Sequence, residues 1–294
     1  MKATNELIKE VQKSLERIKV LYIKTSGLFN LIIKHHGEVI FVKIIKNIDS
    51  LTENTAKNLS NISYIFNARL IVVGKYTRLG ALKNFIIYKR FGISCMTPKS
   101  LEHLLQGEVP IIECLRGGQF IYIDPIKLRY ARIKKGLTQK KLAEMVNVNK
   151  KFIYEHEKNL KKAKRETVDM MMKILNYPII FAPNIKISMP QKINPKSEFE
   201  RNVFNYFYKM GFDTKFIYHT AFNMVAKDED IFLMYVKEFP NKDRIEILKS
   251  ISAFLKNPAM VISKTEKTYD LPSIYVDELK EMSKKKIKKL ACLK

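Results

Sequence analysis

Leu128–Glu157 reads LRYARIKKGLTQKKLAEMVNVNKKFIYEHE, and its spacing decides how the middle of the chain folds. Just before and into it, Ile126–Lys134 predicts a short helix stopped by Gly136. Thr138 is an N-cap candidate for a second helix, Gln139–Val146, with Leu142, Ala143 and Val146 on its inner face. Lys141 stands where a capping box needs Glu, so no box is expected. Asn147 suits the left-handed turn that more often takes Gly, and Val148 would plug that turn. Asn149 is a second N-cap candidate and opens Lys150–Glu157. After a basic loop, Asn159–Arg165, comes Glu166–Leu175 with Val168, Met171, Met172 and Leu175 facing in. Residues 126–176 are read as an all-α domain of five short helices, four of which have the bounds above.

The charge is densest in the same stretch. The 294-residue chain carries 54 Lys and Arg against 29 Asp and Glu, a net +25. Residues 126–176 hold 15 basic and 5 acidic residues, +10 of that total in about one-sixth of the length. Residues 1–125 contribute +8; residues 177–294 contribute +7, of which the tail Lys280–Lys294 supplies +6. A field this positive implies an anionic partner, nucleic acid first and a membrane surface second. A hydrophobic fraction of 46% excludes disorder for the chain as a whole. No apolar run approaches a membrane-spanning length of about 18 residues, and the N-terminus lacks the apolar core of a secretory signal. Cys95, Cys114 and Cys292 form no CxxC, which argues against a zinc site or a disulfide framework and fits a reducing cytoplasm.

The pattern Leu128, Arg132, Gly136-Leu137-Thr138-Gln139, Leu142-Ala143, Val146, Val148-Asn149, Ile153 and Glu157 resembles the helix-turn-helix domain of the Cro/cI repressor (XRE) family. The resemblance covers about 50 residues and implies a reader helix, Lys150–Glu157, lying in the DNA major groove. It implies base contacts from Lys150, Lys151 and Glu155; Lys can donate to guanine and Glu can accept from cytosine. Gln139, at a helix N-terminus, matches a phosphate-contacting position. Asn149, Lys140, Lys158, Lys161 and Lys162 are further candidates for phosphate contact or positioning. Phe152 replaces a small residue and His156 an apolar one in the family pattern; His156 is read as a satisfied histidine at the core edge.

The flanks read as two α/β segments with the same order of elements. The first runs helix Asn5–Ile18, strands Val20–Lys24, Leu28–Ile33 and Val39–Ile45, helix Thr52–Asn67 and strand Leu70–Gly74. Strands Phe85–Tyr88 and Ile93–Met96, helix Pro98–Leu105 and a hairpin around Gly117-Gly118 follow. The second runs helix Ser197–Met210, strands Phe216–Tyr218, Ala221–Lys227 and Ile231–Val236, helix Lys242–Leu255, strand Ala259–Ser263, a short strand near Ile274 and helix Val276–Lys284. Phe29-Asn30 matches Phe222-Asn223, and Phe41-Val42-Lys43 matches Tyr235-Val236-Lys237, so a duplication is inferred.

This order, with a hairpin ending in x-x-Lys, resembles the restriction-endonuclease-like PD-(D/E)XK core. That family implies two carboxylates for Mg²⁺ and a Lys beside the attacking water. Here Asn30 and Asn223 stand for the first acid, Phe41 and Tyr235 for the second, and Lys43 and Lys237 remain. An amide and an aromatic ring hold a divalent metal poorly, so both copies are expected to be inactive, with no catalytic residue, metal or cofactor. No phosphate-binding glycine loop, nucleophile elbow or HExxH occurs.

The expected architecture is a five-helix Cro/cI-type domain between two inactive α/β domains. Its boundaries are 1–125, 126–176, a linker 177–195, and 196–294 with a basic tail. The whole is similar to a family of archaeal transcriptional regulators. Expected partners are double-stranded DNA and a second copy of the chain, with no membrane, an unidentified effector and a cytoplasmic location. The alternatives are a nuclease-like DNA-processing protein with an unusual or lost site, and an antitoxin-like interaction module.

Overall fold

The computed structural model describes residues 2–15, 18–23, 27–108, 110–115, 117–182, 189–265 and 269–292. In chain order, α1 (Lys2–Ser14) leads to β1 (Lys19–Tyr22), β2 (Leu31–His35), β3 (Glu38–Ile44), α2 (Glu53–Ile65) and β4 (Arg69–Val73). The short β5 (Tyr76–Thr77) and β6 (Gly80–Ala81) precede β7 (Ile86–Arg90), β8 (Ile93–Met96), α3 (Pro98–Leu105), β9 (Ile112–Leu115) and β10 (Gly118–Ile123). Next come α4 (Pro125–Lys134), α5 (Gln139–Met145), α6 (Lys150–Lys158), β11 (Lys161–Lys164), α7 (Arg165–Leu175) and β12 (Ile180–Phe181). The chain ends with α8 (Glu198–Lys209), β13 (Asp213–Phe216), β14 (Met224–Lys227), β15 (Ile231–Val236), α9 (Lys242–Leu255), β16 (Ala259–Ser263), β17 (Ser273–Tyr275) and α10 (Lys284–Cys292). The protein is a mixed α/β chain divided into two compact units, one of residues 1–15, 45–50 and 72–185, the other of residues 16–44, 51–71 and 186–294. The linker expected at 177–195 falls partly on residues 183–188, which lie outside the described residues.

In the first unit β8, β7, β9, β10 and β11 lie side by side. β10 has two partners along one edge: β9 pairs with Gly118–Ile121, and β12 continues opposite Tyr122 and Ile123. Its other edge takes β11, with Ala163 opposite Ile121. Four helices, not five, span Pro125–Leu175, and the basic loop expected at Asn159–Arg165 contains a strand. The reason is tertiary: Lys161–Lys164 has little strand propensity, but it completes the ladder of β10 and buries Ala163. The helical core is accordingly continuous with that sheet, with Ile121, Ile123 and Ala163 packed among Leu128, Leu142, Ile153 and Val168. Cys95 is buried and free, its thiol pushed up to about 12 by that burial.

The second unit holds two copies of one motif. β1, β2 and β3 form an antiparallel meander with β4 beside β3. β13, β14 and β15 form another, extended by the parallel strands β16 and β17. The copies meet through a reciprocal contact. Lys34 of β2 donates to the Leu255 carbonyl at the end of α9, 3.3 Å, and Lys227 of β14 donates to the Ile65 carbonyl at the end of α2, also 3.3 Å. A cation at each helix C-terminus complements the helix dipole. Asn58 of α2, fully buried, accepts from the Tyr218 amide at 2.6 Å. Asn61 donates to the Phe216 carbonyl at 3.3 Å. The helix expected at Val276–Lys284 is instead a 3₁₀ turn, Glu278–Glu281, followed by α10. Lys284 and Lys288 of α10 pair with Asp228, and Lys288 also with Glu229, so the acidic hairpin turn neutralises part of the basic tail.

Candidate nucleic-acid interface

Local sequence builds the helical core of the interface cap by cap. Asp124 accepts from the amides of Ile126 and Lys127 ahead of Pro125 and starts α4. Thr138 Oγ1 accepts from the Lys141 amide at 3.1 Å and starts α5. Asn147, at φ 54°, makes the left-handed turn, and Asn149 Oδ1 accepts from the Phe152 amide at 2.7 Å to start α6. Leu142, Ala143, Val146 and Ile153 are buried between these helices, with Val148 packed against them.

A buried ion pair fixes α4 against α6. Arg132 binds both carboxylate oxygens of Glu157, through Nε and, at 3.1 Å, Nη2. Its Nη1 donates to the Leu137 carbonyl at 2.7 Å. Gln139 Nε2 donates to the same carboxylate at 2.7 Å. The side chains of Arg132 and Glu157 are 12% and 5% exposed. Gln139, expected to face phosphate, thus uses its amide group to hold α5 onto the pair. The sequence pattern contains both ionic residues but says nothing of their contact, which joins positions 25 residues apart.

The other predicted contacts divide into engaged and free groups. Glu155 accepts from Lys161 at 2.7 Å and from Asn159 at 3.4 Å. The Lys161 hydrogen bond is the main reason its carboxyl lies below the usual range. Lys162 pairs at 3.2 Å with Glu113, a buried acid on β9. Lys158 lies 4.5 Å over the Tyr154 ring, and hydrogen bonding to Tyr154 raises its pKa. Lys140, Lys150 and Lys151 are exposed and, among the described residues, have no ion pair. Neither α5 nor α6 carries an acid in its first turn, where Lys140, Lys141, Lys150 and Lys151 stand instead. Lysines at the positive end of a helix dipole repel it, and an external anion relieves both charges at once.

His156 departs from the expected satisfied histidine. It is buried, stacks 4.0 Å from Phe152, and uses Nδ1 on the Phe152 carbonyl, leaving Nε2 without a partner.

The positions expected to be degenerate nuclease residues have structural duties. Asn30 Oδ1 accepts from the Ile44 amide at 2.8 Å, and Asn223 Oδ1 accepts from the Val236 amide at 2.7 Å. These equivalent bonds correct the sequence matching, since they set Ile44 beside Val236 and therefore Lys43 beside Tyr235, not Lys237. The hairpins differ in ladder as well as turn: β2–β3 has five paired positions and a two-residue turn, His36-Gly37, whereas β14–β15 has four and a three-residue turn, Asp228–Asp230, so the Asn lies 14 residues before its bonded amide in the first copy and 13 in the second. Phe41 is buried against Phe29 and Phe66, and Tyr235 is 2% exposed. Lys43 donates to the Gly27 carbonyl at 2.6 Å, and burial lowers its pKa. Lys237 lies 3.6 Å from Glu200, a buried acid on α8 that also accepts from Asn223 and Tyr218. Sequence reasoning missed Glu200 because it sits beside the apolar stripe of Phe199, Val203 and Phe207 with no motif around it. Among the described residues, no three His, Cys, Asp or Glu side chains group as a metal site, and no helix is long and apolar enough to cross a membrane.

Two stretches of the chain match known domains. Residues 4–111 match a PD-(D/E)XK superfamily domain, and residues 128–181 match a helix-turn-helix domain. A protein of Pyrococcus furiosus is 28% identical over 277 residues, covering 90% of this chain and 88% of its own. One of Methanocaldococcus jannaschii is 28% identical over 296 residues, covering 94% and 92%. One of Thermococcus gammatolerans is 26% identical over 291 residues, covering 94% and 92%. All three bear the name "putative HTH-type transcriptional regulatory protein". No solved structure matches the chain. The chain thus joins a PD-(D/E)XK superfamily domain to a helix-turn-helix domain, and over most of its length it is similar to archaeal proteins named as transcriptional regulators.

Proposed function

We propose that this protein is a sequence-specific DNA-binding transcriptional regulator of the Cro/cI type, acting in the cytoplasm and without enzymatic activity. The observation that carries the reading is the pair of helix starts at Thr138 and Asn149, each followed by exposed lysines and no acid in the first turn. Duplex DNA supplies the missing negative charge: α6 enters the major groove, Lys150 and Lys151 reach base edges, and Lys140 reaches phosphate. Glu155 serves as an acceptor only where Lys161 moves from it to phosphate. One reader helix per chain supports a homodimer on two half-sites about one DNA turn, roughly 34–36 Å, apart. The flanking nuclease-like domains act as support, since Asn30, Phe41, Asn223 and Leu233 stand where a nuclease would need acids, and Tyr235 where it would need the lysine.

The test is binding of the full chain to DNA from its own upstream region and to random duplex. Wild-type protein is expected to prefer one upstream site, and Lys150→Ala with Lys151→Ala to lose that preference while retaining salt-sensitive binding to random DNA. Equal losses on both DNAs would show that these lysines do not read bases. No binding to either DNA at low salt would refute the function.

A further inference from the structure

A cavity of about 530 Å³ lies within the second unit, beside the N-terminus of α9. That volume falls inside the range of roughly 300–1,000 Å³ usual for small-molecule sites. Three independent features describe what would fill it.

The first is an unanswered hydroxyl. Thr220 lines the cavity and is 7% exposed, yet its Oγ1 has no hydrogen-bond partner. Among the described residues only His156 Nε2 shares that condition. A buried hydroxyl left unpaired is unfavourable, so a bonding group is expected against it.

The second is unbalanced positive charge. Arg244, in the same wall, donates from Nη2 to the Thr220 carbonyl at 3.0 Å and stacks over the Tyr235 ring, its Cζ 5.4 Å from the centroid. It forms no ion pair among the described residues, so most of its five donors remain available. His219 also lines the cavity. Burial, with Lys196, Arg244 and Lys43 as neighbouring cations, lowers its pKa. Asn241 caps α9 through the Arg244 amide, so the positive end of that helix dipole opens on the same space.

The third is a limit on the charge that fits. Asp243 is in the wall and repels a multiply charged anion. Leu28, Ile247 and Ile251 offer hydrocarbon surface for an apolar body.

We propose that this cavity binds a small monocarboxylate, its carboxylate held by Arg244 and the Thr220 hydroxyl and its hydrocarbon body against Ile247 and Ile251. Tyr235, which stands where the first copy has Lys43, forms part of the wall. Binding here does not depend on DNA reading and is measured without DNA.

The experiment is calorimetric titration of the full chain with benzoate and hexanoate, using benzyl alcohol and inorganic phosphate as controls. Saturable one-to-one binding of at least one carboxylate is expected. Arg244→Met should weaken it about tenfold or more, as loss of a bond between charged groups implies. Thr220→Val should weaken it by roughly threefold to tenfold, the scale of one hydrogen bond, without lowering the unfolding temperature of the free protein. That temperature separates loss of a ligand contact from loss of the fold. Lys249→Met, on the same helix but outside this cavity, should leave affinity unchanged. The proposal is overturned if neither carboxylate saturates up to about 10 mM, the limit for even a weak site. It is also overturned if both wall variants bind as wild type, or if benzyl alcohol or phosphate binds as tightly as the carboxylates.

Discussion

The pair Arg132–Glu157 should behave as two charges that tolerate joint removal better than separate removal. Arg132→Met leaves a carboxylate 5% exposed with Gln139 as its remaining partner. Breaking a buried ion pair from one side costs about 3–5 kcal/mol, because the surviving charge stays buried. Glu157→Gln is milder. The guanidinium keeps the Leu137 carbonyl and one amide oxygen, so about 2–3 kcal/mol is expected from the lost charged bond. Arg132→Met combined with Glu157→Leu leaves no buried charge and should fall within about 1–2 kcal/mol of wild type, the residual coming from the orphaned Gln139 amide. Each single change therefore destabilises α4 and α6 more than the double change does. Hydrogen exchange resolves the helical domain from the rest of the chain, so it is the assay, applied to the full chain and read on peptides covering Pro125–Lys158. A double variant that loses as much protection as the two singles summed would refute the claim that the pair acts as a unit.

Other expectations follow from single contacts. His156→Leu removes the unpartnered Nε2 and restores apolar packing, so it should stabilise the helical domain by about 1 kcal/mol, measured by the same exchange. The hydrogen bond from Arg90, aided by the Arg78 amide, holds the Asp49 carboxyl below its usual range despite opposing burial. The unfolded chain thus takes up that proton more readily. The stabilisation is complete above the unfolded pKa of about 3.9 and is lost as pH falls through the lower folded value. Asp49→Asn should flatten the acid limb of a stability–pH curve below about pH 4, and an unchanged limb would count against the pair. Lys161→Met should return the Glu155 carboxyl toward the ordinary range in an NMR titration, since Lys161 supplies the main lowering. If the proposed complex makes about six phosphate contacts, log affinity for DNA should fall with log salt at a slope near −5.

Elements with strong local signals were legible. α3 and α9 occupy the predicted ranges because Thr97-Pro98 and Asn241 mark their starts without tertiary help. β15 and β16 are uninterrupted buried runs, and they too lie where the sequence places them. β11 was not legible, because Lys-Lys-Ala-Lys is a strand only in the company of β10. The same limit governs the interface. Exposure of Lys150 and Lys151 follows from helical spacing, but the partners of Gln139, Glu155 and Lys162 come from elsewhere in the fold. The nuclease resemblance shows how a short motif misleads: x-x-Lys carries no register, and matching lysine to lysine set Lys43 two residues away from its structural counterpart, Tyr235.

The crossed lysine contacts, Lys34 to the end of α9 and Lys227 to the end of α2, are the kind of mutual grip that two identical subunits make across a twofold axis. Written into one chain, that grip has no dissociation constant, and dilution cannot separate its halves. It is also freed from copying. In a dimer of identical chains every substitution appears on both sides, so a change that suits one surface must be tolerated by its twin. Here the side bearing Arg244 and Thr220 can specialise while its counterpart keeps to holding the scaffold together.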